Sequence, residues 1–127
     1  MTESNRRGAV AVEFALTLPL FLLFLFGCYE ICRANIIMHT CESAAYEGAR
    51  AGIVPGSSPA KTNAAAQSVI DTLGVEAQIT TTPAVIDNET ESVSVTINVD
   101  FSENSILVPK FIGANIIRTC TMNREEL

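Results

Sequence analysis

Side chains suited to acid–base, nucleophilic or metal chemistry are sparse in this chain of 127 residues. The only histidine, His39, has no set of ligands at metal spacing around it, and Cys28 and Cys32 lack the Cys-x-x-Cys spacing of a zinc or redox site. The acidic segment 87–91 lacks the spacing of a calcium loop. No nucleophile elbow, phosphate loop or dinucleotide fingerprint is found. We therefore expect a protein that is not an enzyme and that uses no metal or cofactor.

One carboxylate stands where its charge needs an explanation. Glu13 lies in a run of 21 residues, Ala9–Tyr29, that is otherwise largely apolar. An ionisable side chain within a membrane span costs about 3 kcal/mol, so it usually has a partner and a function. A cut between Gly8 and Ala9 would create a cationic N-terminus one helical turn before Glu13, within reach in the same chain or in a staggered neighbour. The alternative is a carboxylate at the headgroup boundary, solvated from the cytoplasm.

The apolar run itself predicts a membrane span. About 20 helical residues cross the roughly 30 Å hydrocarbon core of a bilayer, and residues 20–26 contain no polar side chain. The rest of the chain is too short to wrap such a helix in a soluble core. Arg6 and Arg7 precede the span directly, so the N-terminus is expected in the cytoplasm and the remainder outside it.

These residues resemble a known family. Arg6-Arg7-Gly8 followed by Ala9–Leu16 is similar to the start of TadE-like proteins of the tight-adherence pilus system, which belong with the bacterial type IV pilins and pseudopilins. Leu18-Pro19 within the run and the later segment Ala44–Gly52 add to the resemblance. It is strong over residues 5–52 and only general beyond them.

The resemblance implies a role in assembly at the bacterial inner membrane. A prepilin peptidase would cut between Gly8 and Ala9 on the cytoplasmic side, and Glu13 would help to recruit and register the subunit. The partners would be the lipid bilayer, the peptidase, other pilin-like subunits and the pilus assembly machinery. Ala9 stands where major type IV pilins usually carry Phe, which favours a minor pilin or pseudopilin.

A second reading from a different class stays open: an unprocessed single-pass anchor that displays a small exported binding domain. Its lipoprotein variant rests on Leu25–Cys28, which approximates a lipoprotein processing site. Phe26 fits poorly there, because a small residue usually precedes the Gly-Cys step.

The helix is expected to continue beyond the span, from Ala9 to about Ala51. Pro19 lacks an amide donor and predicts a kink or weak point. Beyond the span, one face carries residues at alternating spacings of three and four, which allow close approach of the protein's own sheet or of a neighbouring helix. This predicted seam consists of Ile31, Ala34, Met38, Cys41, Ala45, Gly48 and Gly52.

The remaining residues predict a small α+β domain. A second helix begins at Thr62 or Asn63, runs to Leu73 and ends at Gly74. Three strands follow, with a turn or short helix at 105–111 before the last of them; they are Val75–Thr82, Ser92–Phe101 and Ile116–Met122. The fold class is therefore α+β, with a small three-stranded antiparallel sheet packed on a long transmembrane and stalk helix. The predicted parts are a leader (1–8), a span (9–29), the exported half of the stalk (30–52) and an exported domain (53–127).

Charge and cysteines add two expectations for the exported part. Removing residues 1–8 takes away Glu3, Arg6 and Arg7, which changes the net charge from −6 to −7 and argues against nucleic acid or anionic lipid headgroups as the main partner. In an oxidising compartment, Cys41 and Cys120 are the candidate disulfide pair, which would staple the last strand to the stalk. The alternative is two small buried thiols.

Overall fold

A computed structural model describes the backbone of residues 3–87, 90–104 and 115–124, with the side chains of these ranges except those of residues 3–6, 102 and 103. The chain forms two compact units, residues 1–33 and residues 34–127. Its elements, numbered along the chain, are α1 (Glu3–Ile53), α2 (Pro59–Ile70), β1 (Gln78–Thr82), β2 (Ser92–Asp100), α3 (Phe101–Asn104) and β3 (Asn115–Asn123), with a single 3₁₀ turn at Asp71–Leu73 after α2.

The predicted α+β class is confirmed. A long N-terminal helix, a second short helix and a three-stranded antiparallel sheet of order β1-β2-β3 are present. The predicted helix over 9–51 lies wholly within α1. The turn or short helix predicted at 105–111 falls outside the described residues, although α3 forms just before it.

The second strand is the centre of the sheet and shows the clearest match between pattern and structure. Its alternating residues Val93, Val95, Ile97 and Val99 are all fully buried. Antiparallel neighbours on both sides pair with it without interruption. Phe101, predicted as the last strand residue, instead begins α3, where it is still buried.

The first strand is shorter than the sequence predicts. Val75 is buried, but strand pairing begins only at Gln78, opposite Asn98. Between them, the amide of Glu76 donates to the side-chain oxygen of Asn104 at 3.4 Å, so this amide bonds to a side chain instead of a neighbouring strand.

The second helix begins earlier than predicted. Ser58 is its N-cap, accepting a hydrogen bond from the amide of Lys61, and Pro59 occupies the first turn, where its missing amide costs nothing. Thr62, a predicted cap, is fully buried inside the helix and donates to the Ser58 carbonyl at 3.1 Å. Gly74 ends the following 3₁₀ turn with φ of 62°, as expected for a left-handed stop.

The second half of α1 packs on the sheet through a stripe of mostly small residues. The predicted seam is right from Cys41 onward but drifts out of phase towards Ile31, which is exposed. A spacing of three and four averages 3.5 residues, whereas a straight helix turns every 3.6, so the two diverge by about 20° per seven residues. The buried stripe consists of Ile37, Cys41, Ala44, Ala45, Gly48, Ala49 and Gly52.

Two glycines bring α1 and β2 together. A Cβ on Gly48 would lie 3.3 Å from Val95 Cγ1 and 3.0 Å from the Ala66 Cβ. At Gly52 it would lie 2.7 Å from Val93 Cγ1. The small residues of the stalk are therefore used, at least in the second unit, for packing on the protein's own sheet and second helix.

We expect Gly52→Ala to destabilise the second unit. The new methyl group overlaps Val93 on a packed strand, and overpacking of this kind costs about 1–3 kcal/mol. The gain in helix propensity, about 1 kcal/mol, offsets part of that cost, so a mid-range overlap leaves a net loss of about 1 kcal/mol. Thermal unfolding of the full chain in detergent, followed by circular dichroism, should show a transition lowered by about 4–8 °C. Gly27→Ala is the matched control on the same helix, since no atom lies within 4 Å of its added Cβ; equal melting of the two variants would contradict the packing described.

Candidate functional site: the N-terminal apolar segment and the inner face of the sheet

The first functional feature is an apolar helix surface that the protein does not cover. Every residue from Arg7 to Tyr29 is exposed. Among the described residues, α1 is the helix long and apolar enough to cross a membrane, and its most apolar stretch has no buried residue. Its exposed large side chains include Val10, Val12, Phe14, Leu16, Leu20, Phe21, Leu23, Phe24 and Phe26.

The predicted cleavage point lies inside this helix. Gly8 and Ala9 are both exposed, and Gly8 has open space around the position of a Cβ. The helix begins at Glu3, so a peptidase that needs an extended substrate would have to unwind its first turns. The leader residues before Glu3 are outside the described range.

Glu13 lies four residues after Ala9, which corresponds to about 6 Å along the helix. Its side chain is exposed on the apolar segment. One turn further, the hydroxyl of Thr17 donates to the Glu13 carbonyl at 3.0 Å, so the second polar side chain of this stretch is satisfied by its own helix. The carboxylate of Glu13 is not engaged in that hydrogen bond and remains available to a positive group.

Pro19 is accommodated within α1, which is helical on both sides of it. A proline at this position leaves the carbonyl of Ala15 without its usual amide donor. The kink predicted at Pro19 stays a prediction.

The stalk histidine is far from any metal-site geometry. His39 is exposed, with Nδ1 3.8 Å from a carboxylate oxygen of Glu42, itself exposed. Within residues 3–87, 90–104 and 115–124, no group of three or more His, Cys, Asp or Glu side chains is placed to hold a metal ion. In the acidic connection before β2, Asp87 instead forms a local turn, in which the Thr90 hydroxyl donates to its carboxylate at 2.9 Å.

A buried acid was not predicted by the sequence pattern. Glu30 is only 7% exposed, although the predicted seam excluded it. Counting back from Ile37 in steps of 3.6 residues places Glu30 in phase with the buried stripe of α1. A helical period of 3.6 residues therefore predicts the burial of Glu30, whereas alternating spacings of three and four residues do not.

Cys41 is buried and Cys120 is half-buried, and both belong to one apolar cluster around the sheet. Cys120 pairs across the sheet with Val95, and Val95 packs against the position of Gly48. Cys41 lies seven residues before Gly48, a rise of about 10 Å along the helix. Since a disulfide needs Cα atoms within about 7 Å, this register favours two separate thiols, one buried and one half-buried. The bridge itself stays an untested prediction.

The sequence reasoning also missed Arg118. This residue pairs with Ile97 and therefore faces the same side of the sheet as the fully buried residues of β2. Burial raises the pKa of the Cys41 thiol above its ordinary value, and the nearby positive charge of Arg118 partly offsets that rise. Residue parity along β3 was the available signal, because Ile116, Arg118 and Cys120 alternate with Ile117 and Thr119.

Comparison with known proteins gives one match. Residues 8–50, about a third of the chain, match the family model described as TadE-like protein. The resemblance predicted from the residues is thereby confirmed over this range, which includes Gly8, Ala9, Glu13 and Pro19. Neither a curated protein nor a solved structure matches the chain significantly.

We expect the thiol of Cys41 to be protected in the folded protein. Its raised pKa lowers the thiolate fraction at any pH below that value, and burial keeps reagents away. Alkylation by iodoacetamide at mildly alkaline pH should modify Cys41 much more slowly before unfolding than after it, as measured by peptide mass spectrometry.

The same mapping without reductant tests the disulfide. Peptides containing Cys41 and Cys120 should be recovered separately from protein exported by its native cell. A linked peptide would contradict the register argument and support the bridge.

Proposed function

We propose that this chain is a non-enzymatic, pilin-like membrane subunit that takes part in assembly of a tight-adherence pilus or pseudopilus, for adhesion or secretion. The observation that carries the proposal is the match of residues 8–50 to the TadE-like family. It coincides with an apolar helix surface that is exposed over its whole length. A surface of this kind requires either lipid or the apolar helices of other subunits around it.

The order of residues on α1 supports processing by a prepilin peptidase. Arg7 precedes Gly8, and the apolar segment begins at Ala9. Positive charge before the segment favours a topology with this junction on the cytoplasmic side of the membrane and the second unit exported. A cut after Gly8 removes the basic leader and gives α1 a new, positively charged N-terminus.

Glu13 is proposed as the residue that registers the subunit. After the cut, its carboxylate would lie one turn from the N-terminus of a helix, where the macrodipole favours a negative charge. The α-amino group of Ala9, in the same chain or in a neighbouring subunit, is then its natural partner. Such an ion pair fixes the position of one subunit relative to the next, whereas the apolar contacts around it can form in several registers.

The mature protein is expected to begin at Ala9. Chemical sequencing or intact mass of the protein purified from its native membrane measures this directly. A start at Met1 or Thr2 would instead support the unprocessed anchor, and a lipid-modified Cys28 would support the lipoprotein variant. As an internal check, Gly8→Leu should give full-length protein with the span still inserted.

Glu13→Leu is expected to abolish or strongly reduce pilus assembly while leaving insertion and cleavage intact. Removing the carboxylate makes the span more apolar, so membrane insertion should not suffer. Assembly is measured as surface pili by electron microscopy and as subunit recovered in sheared filaments.

Thr17→Val is the matched control, because it also replaces a polar side chain of the same segment one turn away. The Thr17 hydroxyl bonds only to carbonyls of its own helix among the described residues, so its loss should have little effect. Normal pili from Glu13→Leu would remove the main support for the assembly role.

A further inference from the structure

Among the described residues, the last strand forms an edge of the sheet. In the order β1-β2-β3, no strand within the described residues pairs with the outer side of β3. Its nine residues pair with β2 without a bulge, and none of them is proline. The opposite edge, β1, has five residues and is followed directly by Pro83. A long, regular strand with no partner on one side among the described residues is a template for a further strand.

The inner side of β3 is only partly covered. The residues of β2 that face the core are fully buried, whereas those of β3 on the same side are half-buried. The half-buried residues are Ile116, Arg118, Cys120 and Met122. A strand added beyond β3 would cover these side chains and remove apolar surface from water.

Arg118 is at the middle of this half-covered side. Its guanidinium Nη1 donates to the carbonyl of Ile117 at 2.9 Å. The ion pairs of the described residues join His39 to Glu42 and Arg50 to Glu47, and none involves Arg118. A half-buried guanidinium that has no ion-pair partner among the described residues is stabilised most by a carboxylate, which can form charge-assisted hydrogen bonds with it.

We propose that the β3 edge binds an extended segment of a different protein chain, which adds as a fourth strand and places an Asp or Glu beside Arg118 with apolar side chains on either side. This surface lies on the sheet and is independent of the assembly role proposed for the apolar segment.

The chemistry of this chain's own edges points to a different partner chain. An edge-to-edge contact between copies would bring β1 or β3 of one copy against β3 of the other. Neither β1 (Gln78–Thr82) nor β3 (Asn115–Asn123) contains an acidic residue. A second copy pairing through its edge strands would therefore leave Arg118 without a carboxylate.

An opposite role for Arg118 has to be distinguished. Inward-pointing charges on edge strands also serve to prevent pairing, because an added strand would bury them. Under that role, no acidic strand binds, and removing the charge promotes self-association. The two roles predict opposite behaviour of the same residue.

The test uses the full chain in detergent micelles and a labelled peptide, Thr-Val-Thr-Glu-Thr-Val-Thr, with fluorescence anisotropy as the readout. The comparison peptide carries Lys in place of Glu. We expect the Glu peptide to bind at least about tenfold more tightly than the Lys peptide, which corresponds to one charge-assisted contact of about 1.4 kcal/mol. Arg118→Gln should remove this preference, and Arg118→Lys should retain part of it.

Lys61→Gln is the matched control, since it removes one positive charge from an exposed position on α2. This helix belongs to the same unit as the sheet but is separate from β3. It should leave the preference unchanged, which separates a local contact from the effect of net charge. Circular dichroism of each variant verifies that the sheet is intact, and Arg118→Lys keeps the test decisive if Arg118→Gln unfolds.

Three results would overturn the proposal. Equal or absent binding of the two peptides to the native chain means that Arg118 selects no acidic strand. Concentration-dependent oligomers of Arg118→Val, without any peptide preference in the native chain, assign Arg118 to preventing edge pairing. Self-association of the native chain that blocks binding of the Glu peptide makes the occupant of this edge a second copy.

Discussion

The apolar surface of residues 9–29 is the constraint on which the rest of this molecule depends. None of it is buried by the protein itself, and each Å² left in water would cost about 25 cal/mol. A bilayer and a bundle of apolar helices both remove that cost. Because the two environments are alike in this respect, a helix of this composition can pass from one to the other with a small change in hydrophobic free energy. That property suits a subunit that is held in a membrane before it joins an assembly.

Apolar contact alone does not favour the helix bundle over the bilayer, and it does not fix the register between neighbouring helices in the bundle. Glu13 differs from its neighbours because a carboxylate is costly in lipid and favourable beside a positive group. With the proposed cut after Gly8, the positively charged N-terminus at Ala9 lies four residues before Glu13 and is its nearest candidate partner. On the proposed function, the same side chain therefore makes the membrane state less favourable and the assembled state specific. Thr17, whose hydroxyl is satisfied by carbonyls of its own helix, is expected to have no comparable effect.

The sequence predicts those parts of the fold in which local pattern and packing agree. The long helix and the alternation of β2 are of this kind, because burial of alternate residues on β2 leaves only one face to the core. The prediction from sequence fails where the structure depends on the exact helical period or on contacts with another element. The predicted seam of α1 departs from the buried stripe because a small error in the helical period adds up over about three turns. For this reason the burial of Glu30 was not predicted. The start of α2 was predicted too late because Ser58 and Pro59 are typical of a loop as well as of a helix N-terminus, where the structure places them.

Arg118 shows why a candidate site is harder to predict than a fold. Read alone, β3 is an alternating strand in which one arginine sits among residues of either face. The environment of Arg118 depends on strand pairing. Because it pairs with Ile97, it lies on the core side of the sheet, and because β3 is an edge strand among the described residues, it has a neighbouring strand on one side only. An arginine at the same parity on a central strand would be a buried cation and strongly destabilising. On this edge strand Arg118 is only half-buried, so the cost falls, and on the inference above its charge selects or rejects a partner strand. The edge position, rather than the residue type, gives Arg118 a function to test.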